Sequence, residues 1–226
     1  MILAIDMGNS NIVIGGIDET NTHFMERITT DTRKTDLEYA VSLKSILDLH
    51  HIAAEDLEGA ILSSVVPPLN AVITEAVRKV TGLACKLVGA GMKTGMNIRM
   101  DDPKHIGSDL IVDSVAAKAN YPLPIIVIDM GTATSITALD KNGDYVGGVI
   151  HPGLRVSLNT LSGSTAQLPS IDLESLDGPS RKIPSRPCRA ASSTAPPACW
   201  MASSPAWRKN SAARRPLSRP AVWRAL

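Results

Sequence analysis

The sequence predicts an α/β protein built on a duplicated strand-turn-strand unit, and three observations predict it. Of 226 residues, 44% are hydrophobic, yet only one is Phe and three are Tyr. The core must therefore be aliphatic and Met-filled, which suits Val/Ile-rich strands covered by helices. Short apolar runs bounded by Gly, Asn and Asp alternate with longer stretches of helical spacing. Finally, Ile5-Asp6-Met7-Gly8 recurs as Ile128-Asp129-Met130-Gly131, each copy followed by small polar residues and a second strand ending near an Asp. Two copies of one unit imply a duplicated fold.

Taken in order, residues 2 to 6, 11 to 17 and 23 to 30 read as three short strands separated by Gly/Asn and Asp/Asn turns. Asp36 is placed to cap a helix whose apolar positions are Leu37, Ala40, Val41, Ile46 and Leu47. A buried strand follows at 59 to 66. Pro67 and Pro68 suit a helix start, and Ala71, Val72, Glu75, Ala76 and Lys79 carry a helical pattern to about Thr81. A polar loop at 89 to 108 leads to a helix-like stretch at 109 to 120. Strands then resume at 125 to 140 and at 145 to 153.

The first strand meets Asp6 after four apolar residues and has no basic flank, so the N-terminus does not read as a signal peptide. No apolar run approaches the roughly 20 residues a membrane helix needs. A soluble, cytoplasmic protein is expected. Cys85, Cys188 and Cys199 lack metal-ligand spacing and a disulfide framework, and Cys85 is expected as a buried thiol. The net charge of +1 conceals a split, because residues 178–226 hold 8 Arg and 2 Lys without a single Asp or Glu.

Each Asp-Met-Gly copy sets an Asp at a strand end, then a Gly that allows close backbone approach, then Ser, Thr or Asn able to face phosphate oxygens. Such a turn can hold a polyphosphate, and its Asp can hold a cation bridging phosphate oxygens. An ordinary hairpin turn has the same composition; duplication favours the phosphate reading. Gly107-Ser108-Asp109 precedes the third helix. There Asp109 sits where the helix dipole stabilises a carboxylate able to act as a base, though Asp in a first turn is common for purely structural reasons. His50 and His51 read as a helix end, with the imidazole able to meet the last carbonyls. His151 reads as a turn residue, and Ser63 and Ser64 as the end of a buried strand.

IDMGNSNIVIG at 5 to 15, SSVVPPL at 63 to 69, KTGMNI at 93 to 98, GSD at 107 to 109, IDMGTATSITALD at 128 to 140 and GGVIHPG at 147 to 153 follow the order and spacing of type III pantothenate kinases. The resemblance runs through TAQLP at 165 to 169 and covers roughly residues 1 to 177. It implies duplicated actin-like, ribonuclease H-like domains of the acetate and sugar kinase/Hsp70/actin superfamily. The first spans 1–115 and the second 116–177, the latter truncated or scrambled at its C-terminus. It also implies ATP-dependent phosphorylation of pantothenate, the first step of coenzyme A synthesis, in a homodimer that uses Mg2+ and potassium or ammonium.

By that resemblance Asp6, Met7, Gly8, Asn9, Ser10, Asn11, Ile12 and Val13 form the first phosphate loop, with Asp6 near the magnesium-nucleotide. Asp129 is the monovalent-cation ligand, and Thr132 contacts ATP. Gly107, Ser108, Asp109 and Leu110 line the pantothenate pocket, with Asp109 as the base. Two positions depart from the family pattern: Leu110 stands where Arg is usual, and Met100 where a substrate-contacting Tyr is common. They motivate two alternatives, a non-catalytic regulatory relative and a kinase for another small hydroxyl substrate. The main reading expects neither nucleic acid nor a membrane as partner, whereas salt-dependent DNA binding through the basic tail would favour the regulatory alternative. The tail at 178–226, rich in Pro, Ala, Ser and Arg, reads either as a basic disordered segment or as a shifted frame beginning between about Gly178 and Cys188. The shift is favoured because a neighbouring frame can be written to encode the family's helical continuation. Such a tail leaves the second sheet short of covering helices, so the sequence is compatible with either an active or an inactive chain as written.

Overall fold

The computed structural model describes residues 1–89, 92–103 and 106–165. The end of the TAQLP match and the whole tail lie outside the described residues. Twelve principal elements follow in the order β1 (Ile2–Met7), β2 (Asn11–Ile17), β3 (Thr22–Thr29), α1 (Asp36–Leu49), β4 (Gly59–Ser64), α2 (Asn70–Thr81), β5 (Cys85–Leu87), α3 (Ser108–Asn120), β6 (Ile125–Met130), β7 (Ala133–Leu139), β8 (Tyr145–Pro152) and α4 (Leu154–Ser164). The α/β class and the repeated three-strand opening are as expected.

The first five strands form one sheet in the order β3-β2-β1-β4-β5, and β6, β7 and β8 form a second sheet in that order. In the first sheet β1 runs antiparallel to β2 and parallel to β4. Strand β1 lies at its centre, so Leu3, Ala4, Ile5 and Met7 are all buried. This is the near-continuous apolar run of a strand covered on both faces. Strand β3, at the edge, instead alternates between covered and exposed positions. By contacts the described residues divide into two units, 1–127 with 137–147, and 128–136 with 148–165.

Helix α1 departs from the sequence reading in two ways. Its N-cap is Thr35, not Asp36: the Thr35 hydroxyl accepts the Glu38 N–H while the Glu38 carboxylate accepts the Thr35 N–H. This reciprocal Thr-x-x-Glu box satisfies two otherwise orphaned donors. Its buried stripe passes through Tyr39, Ala40, Leu43, Ile46 and Leu47, leaving Leu37 and Val41 more than half exposed at 61% and 59%. The stripe is shifted because Tyr39, as well as the aliphatics, is drawn into the sheet core. In α2, Ile73, Ala76 and Val77 form the buried face, and Gly82 closes the helix in the left-handed conformation. Pro67–Leu69 makes a single 3-10 turn before the helix proper.

The His50 ring does not turn to the last carbonyls of α1. It stacks on Phe24 with centroids 4.8 Å apart and lies 3.0 Å from Glu26 through Nε2. The short strand β5 and helix α4 are additions beyond the sequence reading. Cys85 in β5 is partly buried, and that burial pushes its thiol up to about 11. So protonated a thiol is a poor nucleophile. No helix among the described residues is long and apolar enough to cross a membrane.

Candidate active site

In the first unit the site is built at the carboxyl ends of β1 and β4. Asp6 lies one residue from the end of β1, in register with Val13 on β2 and Ser63 on β4. Ligands of open α/β sheets bind outside the carboxyl ends of parallel strands, so Asp6 stands where a ligand is expected. The loop after it is closed by the Gly8 N–H donating to the Asn11 carbonyl at 3.0 Å. Thr30 braces it from the end of β3, its hydroxyl donating to the Gly8 carbonyl at 2.7 Å and its N–H to the Ser10 carbonyl at 3.1 Å. With those carbonyls turned inward, the side chains of Asn9 and Ser10 remain exposed, while Met7, Ile12 and Val13 are buried beneath them.

Ser108, the first residue of α3, joins the helix to the end of β4. Its hydroxyl donates to the Ser64 carbonyl at 2.8 Å and accepts from the Ser64 N–H at 3.0 Å and the Ser63 hydroxyl at 3.3 Å. One donor and two acceptor positions are thereby used, the full capacity of a hydroxyl. Ser64 in turn donates its hydroxyl to Asn70 at 2.6 Å, tying the same strand end to α2. Composition does not single out this three-serine node. Its trace in the sequence is a pair of serines closing an apolar strand and a third beside an Asp.

Asp109 follows in the first turn of α3, with Oδ1 accepting the Leu110 N–H at 2.8 Å. Gly107 has ordinary φ, so it is needed for space and not for conformation. A Cβ there would lie 2.3 Å from Asp109 Oδ1. Asp109 and Asp6 are thus linked through a short path: Asp6 pairs with Ser63, Ser63 bonds Ser108, and Ser108 precedes Asp109. Leu110 is 8% exposed and packs inward, whereas Met100 is 40% exposed. Burial, and secondarily the negative charge of Asp109, raises the phenol of Tyr145 above its ordinary value.

The second loop is built differently. Its Gly131 N–H donates to the Ala133 carbonyl at 2.8 Å, a tighter turn than the first. Two residues separate β6 from β7, where three separate β1 from β2. Asp129 is partly buried, while Gly131 and Thr132 are exposed. The start of α4 presses against this turn: the Gly153 N–H donates to the Thr132 carbonyl at 3.0 Å, and a Cβ on Gly153 would lie 2.3 Å from the Gly131 carbonyl oxygen. His151 is not the turn residue the sequence suggested but the penultimate residue of β8, with Nδ1 2.8 Å from the Pro152 carbonyl.

Among the described residues no three His, Cys, Asp or Glu side chains converge as a metal cage. Mg2+ seldom needs one, since it commonly takes one or two carboxylates and completes its shell with water and substrate phosphates. A single carboxylate such as Asp6, partly buried near the end of β1 with the exposed Asn9 and Ser10 in the loop after it, is compatible with that pattern.

Comparison with known proteins agrees with these features. The family described as type III pantothenate kinase matches residues 2–192. A type III pantothenate kinase from Bifidobacterium animalis subsp. lactis is 42% identical over 173 residues, 76% of this chain and 69% of that protein. One from Exiguobacterium sp. is 42% identical over 173 residues, covering 76% of this chain and 68% of that protein. Among solved structures, the activator of the 2-hydroxyisocaproyl-CoA dehydratase from Clostridium difficile with bound ADPNP aligns with a TM-score of 0.44 at 13% identity, over 72% of this chain and 52% of that one. That structure is too distant to add to the assignment. On the family match and the two relatives, the chain belongs to the type III pantothenate kinase family.

Proposed function

We propose that the chain transfers the γ-phosphoryl group of ATP to the primary hydroxyl of pantothenate, yielding phosphopantothenate and ADP. The observation that carries this reading is the path from Asp6 through Ser63 and Ser108 to Asp109, which brings a phosphate-side carboxylate and a candidate base to one end of one sheet. In the reaction the acceptor oxygen forms a bond to the γ-phosphorus, and the bond from that phosphorus to the β,γ-bridging oxygen breaks. ADP leaves, and the acceptor proton passes to the Asp109 carboxylate. The work of the protein is to hold acceptor and donor in line and to neutralise charge.

In this reading the first loop, Asp6 to Val13, holds the nucleotide phosphates, and Thr132 contacts ATP from the second. Gly107 and Leu110 line the acceptor side. Ser108, whose hydroxyl is committed to β4, contributes there through its backbone and through the placement of Asp109. Asp6 is the residue for Mg2+ and Asp129 the residue for a potassium or ammonium ion. Bound there, such cations would spread the charge that builds on the phosphate oxygens. A cytoplasmic homodimer belongs to the same proposal. The two curated relatives are themselves kinases, so the non-catalytic alternative is not favoured.

The deciding experiment incubates the purified full chain with ATP, Mg2+, K+ and pantothenate and follows ADP release together with product mass. Phosphopantothenate appearing with pantothenate-dependent ADP release is the expected result. Nucleotide binding without any phosphorylated pantothenate would sink the proposal. For the tail we propose a shifted frame between about Gly178 and Cys188. Sequencing the coding DNA through codons 170 to 226 is expected to reveal a helix-rich neighbouring frame, and finding none would establish the basic tail as genuine.

A further inference from the structure

The segment that ends at Met100 is held far more firmly than a polar loop requires. Lys118, from the last turn of α3, donates its ammonium to the Gly95 carbonyl at 2.8 Å. The Tyr145 N–H donates to the Asn97 carbonyl at 2.8 Å, and the Arg99 N–H donates to the Tyr145 carbonyl at 2.8 Å, so Ile98 pairs with the first residue of β8 as an added parallel bridge. Met96 and Ile98 send their side chains into the cluster formed by Ile111, Val115, Leu139 and Tyr145.

Over this backbone pairing lies a charged clamp. The Asp144 carboxylate accepts Arg99 Nε at 2.9 Å and Nη2 at 2.6 Å, and Asn97 Nδ2 at 3.1 Å. Asp144 is 4% exposed, a degree of burial that a carboxylate tolerates when its oxygens are paired. It is fixed from its own side as well, with its N–H donating to Asp140 Oδ1 at 3.0 Å and its carbonyl accepting the Asp140 N–H at 3.0 Å. Both Arg99 nitrogens meet the same oxygen, Oδ2, while Asn97 takes Oδ1, so the two carboxylate oxygens are occupied by different residues of one segment and together set the direction of the chain at residue 99.

From Arg99 the chain passes directly to the exposed Met100. Tyr145, beside Asp144, packs in one cluster with Ile111, which lies two residues beyond Asp109 in α3. One short hairpin thus holds the strand that delivers Met100 and also neighbours the candidate base. We infer that Asp144 is a positioning residue for the acceptor substrate: through Arg99 and Asn97 it fixes where the segment beginning at Met100 stands relative to Asp109. The inference rests on the pantothenate kinase reading, in which that segment borders the acceptor.

Kinetics and amide exchange on the full chain test it, with D144N, R99Q and the double variant. Each single change is expected to raise the KM for pantothenate about 10-fold, while kcat and the KM for ATP stay within about 2-fold; a clamp that only stabilised the fold would give no such split. The double variant is expected to be no worse than either single, because both break one interaction. Exchange at the Arg99 and Tyr145 amides is expected to quicken in D144N. Pantothenate should slow exchange across residues 100–103 in the unaltered chain, and much less so in D144N. Unchanged KM for pantothenate with unchanged exchange overturns the inference and leaves the kinase reading standing. Quickened exchange in D144N, combined with neither turnover nor protection by pantothenate in the unaltered chain, overturns the kinase reading and leaves the clamp a structural device only.

Discussion

Asp109→Asn is expected to lower kcat for pantothenate phosphorylation by about 10³-fold, within the 10² to 10⁴ that a positioned general base contributes. The substitution preserves shape and an oxygen acceptor for the Leu110 N–H, so the helix start should be undisturbed. What disappears is the capacity to take the acceptor proton. Gly107→Ala supplies the companion measurement. Its Cβ would meet only the Asp109 carboxylate at short range, and that group can rotate away. The fold should therefore survive while the base is displaced, and a displacement near 1 Å can cost about 10²-fold in rate. Circular dichroism and thermal unfolding of both variants should match the parent protein. If Asp109→Asn retained more than a tenth of kcat, the proton would have to leave by another route.

The region around Asp109 marks where the sequence is a good guide and where it is not. Strands β1, β2, β4, β6 and β7 were legible because apolar runs ended by Gly, Asn or Ser have few other uses, and α2 because two prolines announce its start. The register of those strands is not written in any local pattern. It sets Asp6 beside Ser63, and it follows from long-range pairing of β1 with β4 across more than fifty residues. The Ser108 node and the Asp144 clamp were illegible for the same reason, since each joins residues more than forty positions apart.

The face of α1 was misjudged for a different reason. Leu37 and Val41 are as apolar as the residues that are buried, and only the neighbouring sheet decides that Tyr39 and Leu43 point inward. His50 shows the same competition: the buried Phe24 ring and the Glu26 carboxylate prevail over the weaker pull of the helix carbonyls. Residue roles at Asp129 and Thr132 came from the family resemblance. The fold adds the surroundings of those two residues, above all the approach of α4 to the second loop.

That approach makes Gly153 the position where one methyl group should do the most damage. Its φ of −67° is open to any residue, so conformational freedom is not the issue. An added Cβ would lie 2.3 Å from the Gly131 carbonyl oxygen and 2.4 Å from that of Thr132, and both belong to backbone that cannot rotate aside. Either α4 retreats or the Asp129–Thr132 turn is pushed out of shape. In both cases the bond from the Gly153 N–H to the Thr132 carbonyl is lost. Overpacking of this kind costs about 1–3 kcal/mol, which lowers the melting temperature by roughly 2–12 °C in a protein of this size. Because the distorted turn is the one proposed to meet ATP, Gly153→Ala is also expected to raise the KM for ATP by about 10-fold or more while leaving that for pantothenate nearly unchanged. Gly163→Ala in the same helix is the control, since no atom lies within 4 Å of its added Cβ. In a helix that replacement should be neutral or stabilising by about 0.5–1 kcal/mol. If the two alanine variants were indistinguishable in both ATP dependence and melting, the contact between α4 and the second loop would have no part in holding the nucleotide.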